Sequence, residues 1–290
     1  MTPGQHELCR SLFRVSGRIL PAPRPRDCIL CYHSLRPGNN GRFCPPEQFE
    51  THLRWLSANC NIVPLHRLLD PGRRRSRESK PWVAITFDDG HADNYEHALP
   101  LLLKLGAPAT FFLAVGYLDR DPAVMRRFEF FARSQLKPEP LSWQQAREMA
   151  RSGMRVEAHT YSHANLAFLS AAELEFEIRG CKRLLEDRIG QAVEGFAYPF
   201  GMPRCHFDRR ARDLAQEAGY SYALTTVHRG LRATDCRYLL PRLTIRADDL
   251  PTFVDKVSGA WDLLGRFNER APRWMGSLVS PRGFRESTYG

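Results

Sequence analysis

The sequence predicts an α/β fold with parallel strands, arranged as one barrel-like domain over residues 27–260. Three observations lead there. Short apolar runs of strand length alternate with segments of helical periodicity, the order expected when helices carry the chain between parallel strands. The polar motifs fall directly after apolar runs, where open α/β sheets and α/β barrels place their active sites. At 290 residues and 43% hydrophobic content, the chain is long and apolar enough to bury one large core.

Residues 28–32 are apolar and read as the first strand, ending at His33. A helix follows over 46–59, with Phe49, Leu53 and Leu56 on one face. Residues 61–65 are short and apolar, and a short helix runs to Leu69. The run 83–87 is the central strand and stops at Asp88-Asp89-Gly90. A helix over 95–105 is closed by Gly106, a good C-terminal stop. Residues 109–115 form a buried strand. Residues 119–140, polar and aromatic by turns, read as an insertion.

Ser142 caps a helix to Arg151, ended by Gly153. Residues 156–158 lead into His159. Ser170 caps a helix through Leu185, with Glu173 at the capping-box position. Residues 195–201 are a strand ending in a turn. A helix over 208–217 stops at Gly219. Strands follow at 222–226 and 239–245, then a helix over 252–264 and an Arg-, Gly- and Pro-rich tail over 261–290. The chain carries no internal repeat.

Composition narrows the function classes. No apolar run approaches the ~20 residues needed to span a bilayer. The arm 1–26 has no apolar segment of signal-peptide length, because Arg10, Arg14 and Arg18 interrupt it. These features predict a cytoplasmic chain, unless an upstream segment has been trimmed. Leu8, Leu12, Val15 and Ile19 fall near helical spacing, so the arm reads either as an amphipathic helix on a membrane surface or as a helix packed on its own domain.

The net charge of +10 is carried mostly by Arg, with one dense run at 73–77. That run lies between a Pro-Gly turn and Pro81 and reads as a solvated loop. No nucleic-acid motif accompanies it, so a nucleic-acid partner is not expected. The eight cysteines are irregularly spaced for a disulfide scaffold. Cys28 and Cys31 form a lone Cys-x-x-Cys without the second pair a zinc ribbon needs, and read as small thiols in a buried strand.

Two motifs carry chemistry. Asp88 and Asp89 are adjacent acids that repel, a pair best tolerated when a cation or proton separates their roles. His159-Thr160-Tyr161-Ser162-His163 places two imidazoles four residues apart. One acid with two His is a common ligand set for a catalytic metal with an open position, leaving the other acid free as a base. Either motif alone has a bland reading, as a turn or as a polar pair. Both at strand ends are harder to dismiss.

With its Thr86-Phe87-Asp88-Asp89-Gly90, its His159 to His163 segment and its Tyr198-Pro199-Phe200-Gly201, the chain resembles the polysaccharide deacetylases with a NodB homology domain, carbohydrate esterase family 4. Tyr32-His33, Leu141-Ser142-Trp143 and Leu240-Pro241-Arg242 resemble the bacterial exopolysaccharide branch. The resemblance implies a distorted (β/α) barrel and hydrolysis of an N-acetyl group from an amino sugar. It also implies that Asp89, His159 and His163 hold a divalent metal, usually zinc, with cobalt, nickel and manganese as alternatives. Asp88 would be the base, and the backbone N–H of Phe200 would complete the oxyanion hole.

The chain departs from that pattern twice. Ala197 stands where many members have the arginine that orients the base, and Arg242 from a later strand is the replacement expected here. No clear counterpart exists of the histidine that serves as general acid. His228 reads as a loop residue. His33, after the first strand, is the candidate for protonating the leaving amine, set against a structural role.

The expected function is a metal-dependent de-N-acetylase acting on an N-acetylhexosamine of a polysaccharide, oligosaccharide or lipid-linked precursor. Two competing readings are a hydrolase of another C–N bond, such as a cyclic amide, and an inactive carbohydrate-binding module. A module that only binds does not need a base, which counts against the last. The arm and the basic charge leave two readings open, a peripheral contact with the inner membrane face and a freely soluble enzyme whose basic surface reflects Arg-rich coding.

Overall fold

The computed structural model describes residues 25–37, 43–72, 80–132 and 139–262. The predicted amphipathic helix of the arm, the basic run 73–77 and the tail beyond residue 262 lie outside the described residues. Eight parallel strands form one sheet: β1 (Cys28–Tyr32), β2 (Asn61–Ile62), β3 (Trp82–Phe87), β4 (Ala109–Leu113), β5 (Arg155–Ala158), β6 (Gly195–Ala197), β7 (Tyr222–Leu224) and β8 (Leu243–Thr244). Their order is β7-β6-β5-β4-β3-β1-β8, with β2 paired to the start of β3.

The sheet curls into a distorted barrel. The expected strand 239–245 is divided, and the division closes the curl. Leu240 bridges Leu224 of β7, while Leu243 and Thr244 pair with Leu30 and Cys31 of β1. Pro241, between them, has no N–H for a continuous ladder. Arg242 therefore sits at the seam with its side chain fully buried.

Side chains alternate along each strand and fill two regions. Leu30, Ile85, Phe87, Phe111 and Phe196 belong to a core shared with helical residues such as Phe49, Leu53, Leu102 and Leu185. Ile29, Ala84, Phe112, Ala197 and Leu224 form the second cluster, on the opposite, inward face. The inward series also carries Cys31, Thr86 and Asp88, so the barrel interior becomes polar toward the C-terminal strand ends. Cys28 and Cys31 lie on opposite faces of β1, as the strand reading of the Cys-x-x-Cys requires.

The helices follow the sequence with four differences. The expected helix 95–105 begins as a π turn, Asn94–Ala98, and becomes α-helical only over Leu99–Lys104. Pro100, at the start of the α segment, cannot donate back and clashes with a regular preceding turn. The expected insertion contains a helix, Pro122–Ala132, whose Val124 and Phe128 are buried. The Ser170-capped helix extends past Leu185 to Ile189 through a π turn, Phe176–Gly180. Its capping box and that of Ser142 are both formed. The helix expected over 252–264 forms over Leu250–Val257, capped by Asp249, and residues 263–264 lie outside the described residues. No helix among the described residues is long and apolar enough to cross a membrane.

Candidate active site

Asp88 and Asp89 stand at the C-terminal end of β3. Asp88 N donates to Tyr32 O at 3.0 Å, so the β1–β3 ladder runs one residue past the strand. The Asp88 side chain continues the inward series of Ala84 and Thr86. An ideal strand would turn Asp89 outward. Instead Asp89 has φ 76° and Gly90 φ 90°, and the left-handed turn swings the second carboxylate into the barrel mouth. Thr160, His163 and Phe200 also have positive φ, at 66°, 53° and 59°. Each such non-glycine residue costs on the order of 1–3 kcal/mol and persists only where its surroundings over-determine it.

His159 follows β5, with its N–H on Leu113 O at 3.0 Å. His163 follows the loop and donates its N–H to Thr160 Oγ1 at 3.0 Å. Asp89 Oδ1 lies 3.5 Å from His159 Nε2 and 3.3 Å from His163 Nε2. Two ligand atoms each ~2.1 Å from a shared zinc at the tetrahedral angle would sit about 3.4 Å apart. Asp89 Oδ1 is buried and takes no hydrogen bond among the described residues. A buried carboxylate oxygen without a partner is costly unless something else satisfies it. His159 Nδ1 is 2.7 Å from Ala197 O. A carbonyl only accepts, so Nδ1 carries a proton, and Nε2 is the nitrogen with a lone pair when the ring is neutral. Asp89, His159 and His163 thus fit a divalent metal with an open position.

The charges agree. Burial alone would raise the Asp89 carboxyl. Its contacts with His159, His163 and His91 outweigh that and hold it well below its ordinary value. Burial pushes His163 down to about 3, leaving it neutral. Burial also disfavours charge on His159, but Asp88 and Asp89 overcome this and raise it. Asp88 and Asp89 carry two negative charges, of which the Arg242 guanidinium is paired with one, and the remaining negative charge suits a bound cation.

Asp88 is held from the seam. Arg242 Nη1 donates to Asp88 Oδ1 at 2.7 Å and Nη2 to Oδ2 at 2.6 Å. Its remaining donors reach Thr86 Oγ1 at 3.2 Å and Thr225 O at 2.9 Å. Burial raises the Asp88 carboxyl, and the Arg242 charge more than reverses that, so it stays ionised. Cys31 Sγ also faces Asp88 Oδ2 at 3.4 Å.

His33 is half-buried past the end of β1, where Cys31, His33 and Asp88 offer atoms within 4.8 Å of one another. Its imidazole is disfavoured as a cation by burial. Phe200 packs its ring edge-on to His163 at 4.7 Å. Its carbonyl accepts from Thr226 Oγ1 at 2.6 Å. At Gly201, φ 63°, an added Cβ would meet Thr226 N at 2.5 Å, so this close turn requires glycine. His228 is bonded to Thr244 N at 3.4 Å and lies beside Trp261, the loop role expected for it.

Three further side chains border the site. His91 Nε2 lies 3.3 Å from Asp89 Oδ2, and its Nδ1 is 3.3 Å from Tyr117 Oη. Phe128 stacks on Tyr117 and packs against His163. His91 directly follows the Asp-Asp-Gly turn, and that adjacency was the available signal. Tyr117 and Phe128 reach the site only through tertiary packing.

The parallel barrel gathers two acids and two histidines at its strand ends, and Asp89, His159 and His163 form a group that could hold a metal ion. The polysaccharide deacetylase family model matches residues 75–223. A Bacillus subtilis (strain 168) protein, YxkH, whose name places it among polysaccharide deacetylases, is 30% identical over 230 residues, 78% of this chain and 72% of that one. The Staphylococcus aureus (strain MRSA252) poly-beta-1,6-N-acetyl-D-glucosamine N-deacetylase is 23% identical over 73% of this chain and 71% of its own. The chain belongs to the polysaccharide deacetylase family. Solved structures share its fold. The Streptococcus pyogenes deacetylase PplD matches with TM-score 0.65 and 22% identity, over 83% of this chain and 97% of that one. IcaB from Ammonifex degensii matches with TM-score 0.63 and 22% identity, over 81% and 98%.

Proposed function

We propose that the chain hydrolyses the N-acetyl group of an N-acetylhexosamine in a glycan, with a divalent cation, zinc by preference, held by Asp89, His159 and His163. The observation that carries this reading is the convergence of Asp89 Oδ1 with the two Nε2 atoms at 3.5 and 3.3 Å, beside a separately held Asp88. A bound divalent cation supplies Lewis acidity, lowering the pKa of water from 15.7 toward ~7 and polarising the acetyl carbonyl.

The chain's own groups then divide the remaining work. Asp88, kept ionised and aimed by Arg242, accepts the proton of the attacking water. The oxygen of that water adds to the acetyl carbon, and the Phe200 N–H donates to the oxyanion that develops. The proton taken up by Asp88 passes through His33 to the amine as the C–N bond breaks, so acetate and a free amino sugar leave. An intact base in a built site argues against a purely binding module.

An acetate-release screen tests this. It would run across N-acetylglucosamine oligomers and lipid-linked sugars, with zinc, cobalt, nickel or manganese added. Acetate from at least one glycan class is the expected result, and none from any class would reject the reading. Within it, the basic arm 1–26 is the proposed contact with an anionic inner membrane face, where each Lys or Arg contributes about 1 kcal/mol. Unchanged binding of a chain lacking residues 1–26 to anionic vesicles would reject that contact.

A further inference from the structure

We infer that Glu177 is a positioning residue for the metal site, a carboxylate that shapes the loop joining His159 to His163. This rests on the metal reading above and extends it to a residue outside the ligand set. The loop needs such a device, since Thr160 and His163 both hold strained positive φ.

The loop's backbone groups have identifiable partners. Thr160 O accepts from Val115 N at 3.1 Å, and Tyr161 O from Gly116 N at 2.8 Å. Ser162 O accepts from Arg127 Nη1. The two consecutive donors between the histidines, Tyr161 N and Ser162 N, both point to Glu177 Oε2 at 2.9 Å. Ser162 Oγ donates to the other oxygen, Oε1. One carboxylate therefore fills the concavity made by successive amides, the arrangement by which backbone nests hold anions.

Glu177 is fully buried and lies on the π turn Phe176–Gly180, between helices Ala171–Glu175 and Cys181–Ile189. A π turn adds one residue to the helical register and often marks a functional position. Here it brings Glu177 to the loop while Phe176 packs on Tyr161 at 4.9 Å. The carboxylate bonds residues 161 and 162, which lie between the two ligand positions. It sets the loop conformation, and thereby the position of His163 relative to His159.

Zinc affinity of the full chain, measured by chelator competition, tests this beside the visible spectrum of the cobalt-loaded protein and the Tm of the metal-free protein. Glu177→Ala should weaken zinc binding by about 10–100-fold, the range for outer partners of metal ligands. It should also change the cobalt absorption bands. Glu177→Gln should recover most of the affinity, because its carbonyl can accept both amides while its NH2 donates to Ser162 Oγ. If Glu177→Ala does not fold, Glu177→Asp decides, since it keeps the charge but loses one methylene of reach and should bind zinc more weakly. Wild-type affinity and cobalt bands in the folded variants, with only Tm lowered, would overturn the inference. A wild-type chain that binds no metal would instead overturn the metal reading, and this inference with it.

Discussion

Arg242 clasps Asp88 with two parallel hydrogen bonds of 2.7 and 2.6 Å, and both side chains are buried. A planar guanidinium suits this bidentate hold, and an ammonium does not. Arg242 reaches Asp88 because the segment around Pro241 crosses from β7 to β1 and closes the barrel. The seam of the fold thus supplies the group that Ala197 cannot.

Arg242→Lys should slow turnover and move the acid limb of the pH–rate profile upward. Arg242 lowers the Asp88 carboxyl against the opposing effect of burial. Weakening that interaction raises the carboxyl's folded value, so a base that must be ionised is lost at a higher pH. Each unit of movement corresponds to about 1.4 kcal/mol. A pH series of kcat/KM checks it, and an unmoved acid limb counts against the role.

Asp88→Asn should lower kcat by roughly 10²–10⁴-fold, the contribution of a general base. Bound metal should remain, because Asp88 is outside the ligand set. Stability should also fall, since Arg242 keeps a buried charge without its counter-ion, a loss of about 3–5 kcal/mol. Rates and metal content measured well below the variant's Tm separate the two effects. Wild-type turnover there would reject the assignment.

His91→Phe should weaken zinc binding by about tenfold or more, the scale for a group that orients a metal ligand. His91 approaches Asp89 Oδ2 and leaves Oδ1 toward the two histidines. His91→Gln can keep a donor near Oδ2 and should lose less. Isothermal titration with zinc ranks the three proteins, and equal affinities would show that His91 does not orient Asp89.

His52 predicts a slope of stability with pH. Burial lowers its pKa to about 4, with the ring stacked on Phe253 and bonded to Tyr32 Oη and Asp248 O. The unfolded chain takes up the proton near pH 6.5 and the folded chain near 4, so stability falls as pH drops through that window. The loss at pH 5 is about 2 kcal/mol for this one group. His52→Phe should flatten the dependence of Tm on pH between 7 and 5 relative to wild type. An identical slope would contradict the assignment.

Much of this was legible in the chain because strand ends carry the chemistry. Asp88, Asp89 and His159 follow apolar runs, and His163 is one short loop away, so linear order revealed the site. Arg242 was accessible for a similar reason, through the position Ala197 leaves empty. Tyr117, Phe128 and Glu177 were not, because their roles depend on side chains meeting across elements distant in sequence, and His91 was marked only by its place beside the Asp-Asp-Gly turn. The π turns were hidden too, since a one-residue shift in register leaves the apolar pattern almost unchanged. The division of 239–245 depended on which neighbour each half would pair with, a property of the closed sheet.

The central claim is that Asp89, His159 and His163 hold the metal on which hydrolysis depends. The most direct measurement is acetate release by metal-stripped protein, before and after one equivalent of zinc, beside a His159→Ala/His163→Ala variant treated alike. The account predicts no release from the stripped protein, recovery at one equivalent in the wild type, and none in the variant. Undiminished release from the stripped protein, or zinc-dependent recovery in the variant, would contradict it.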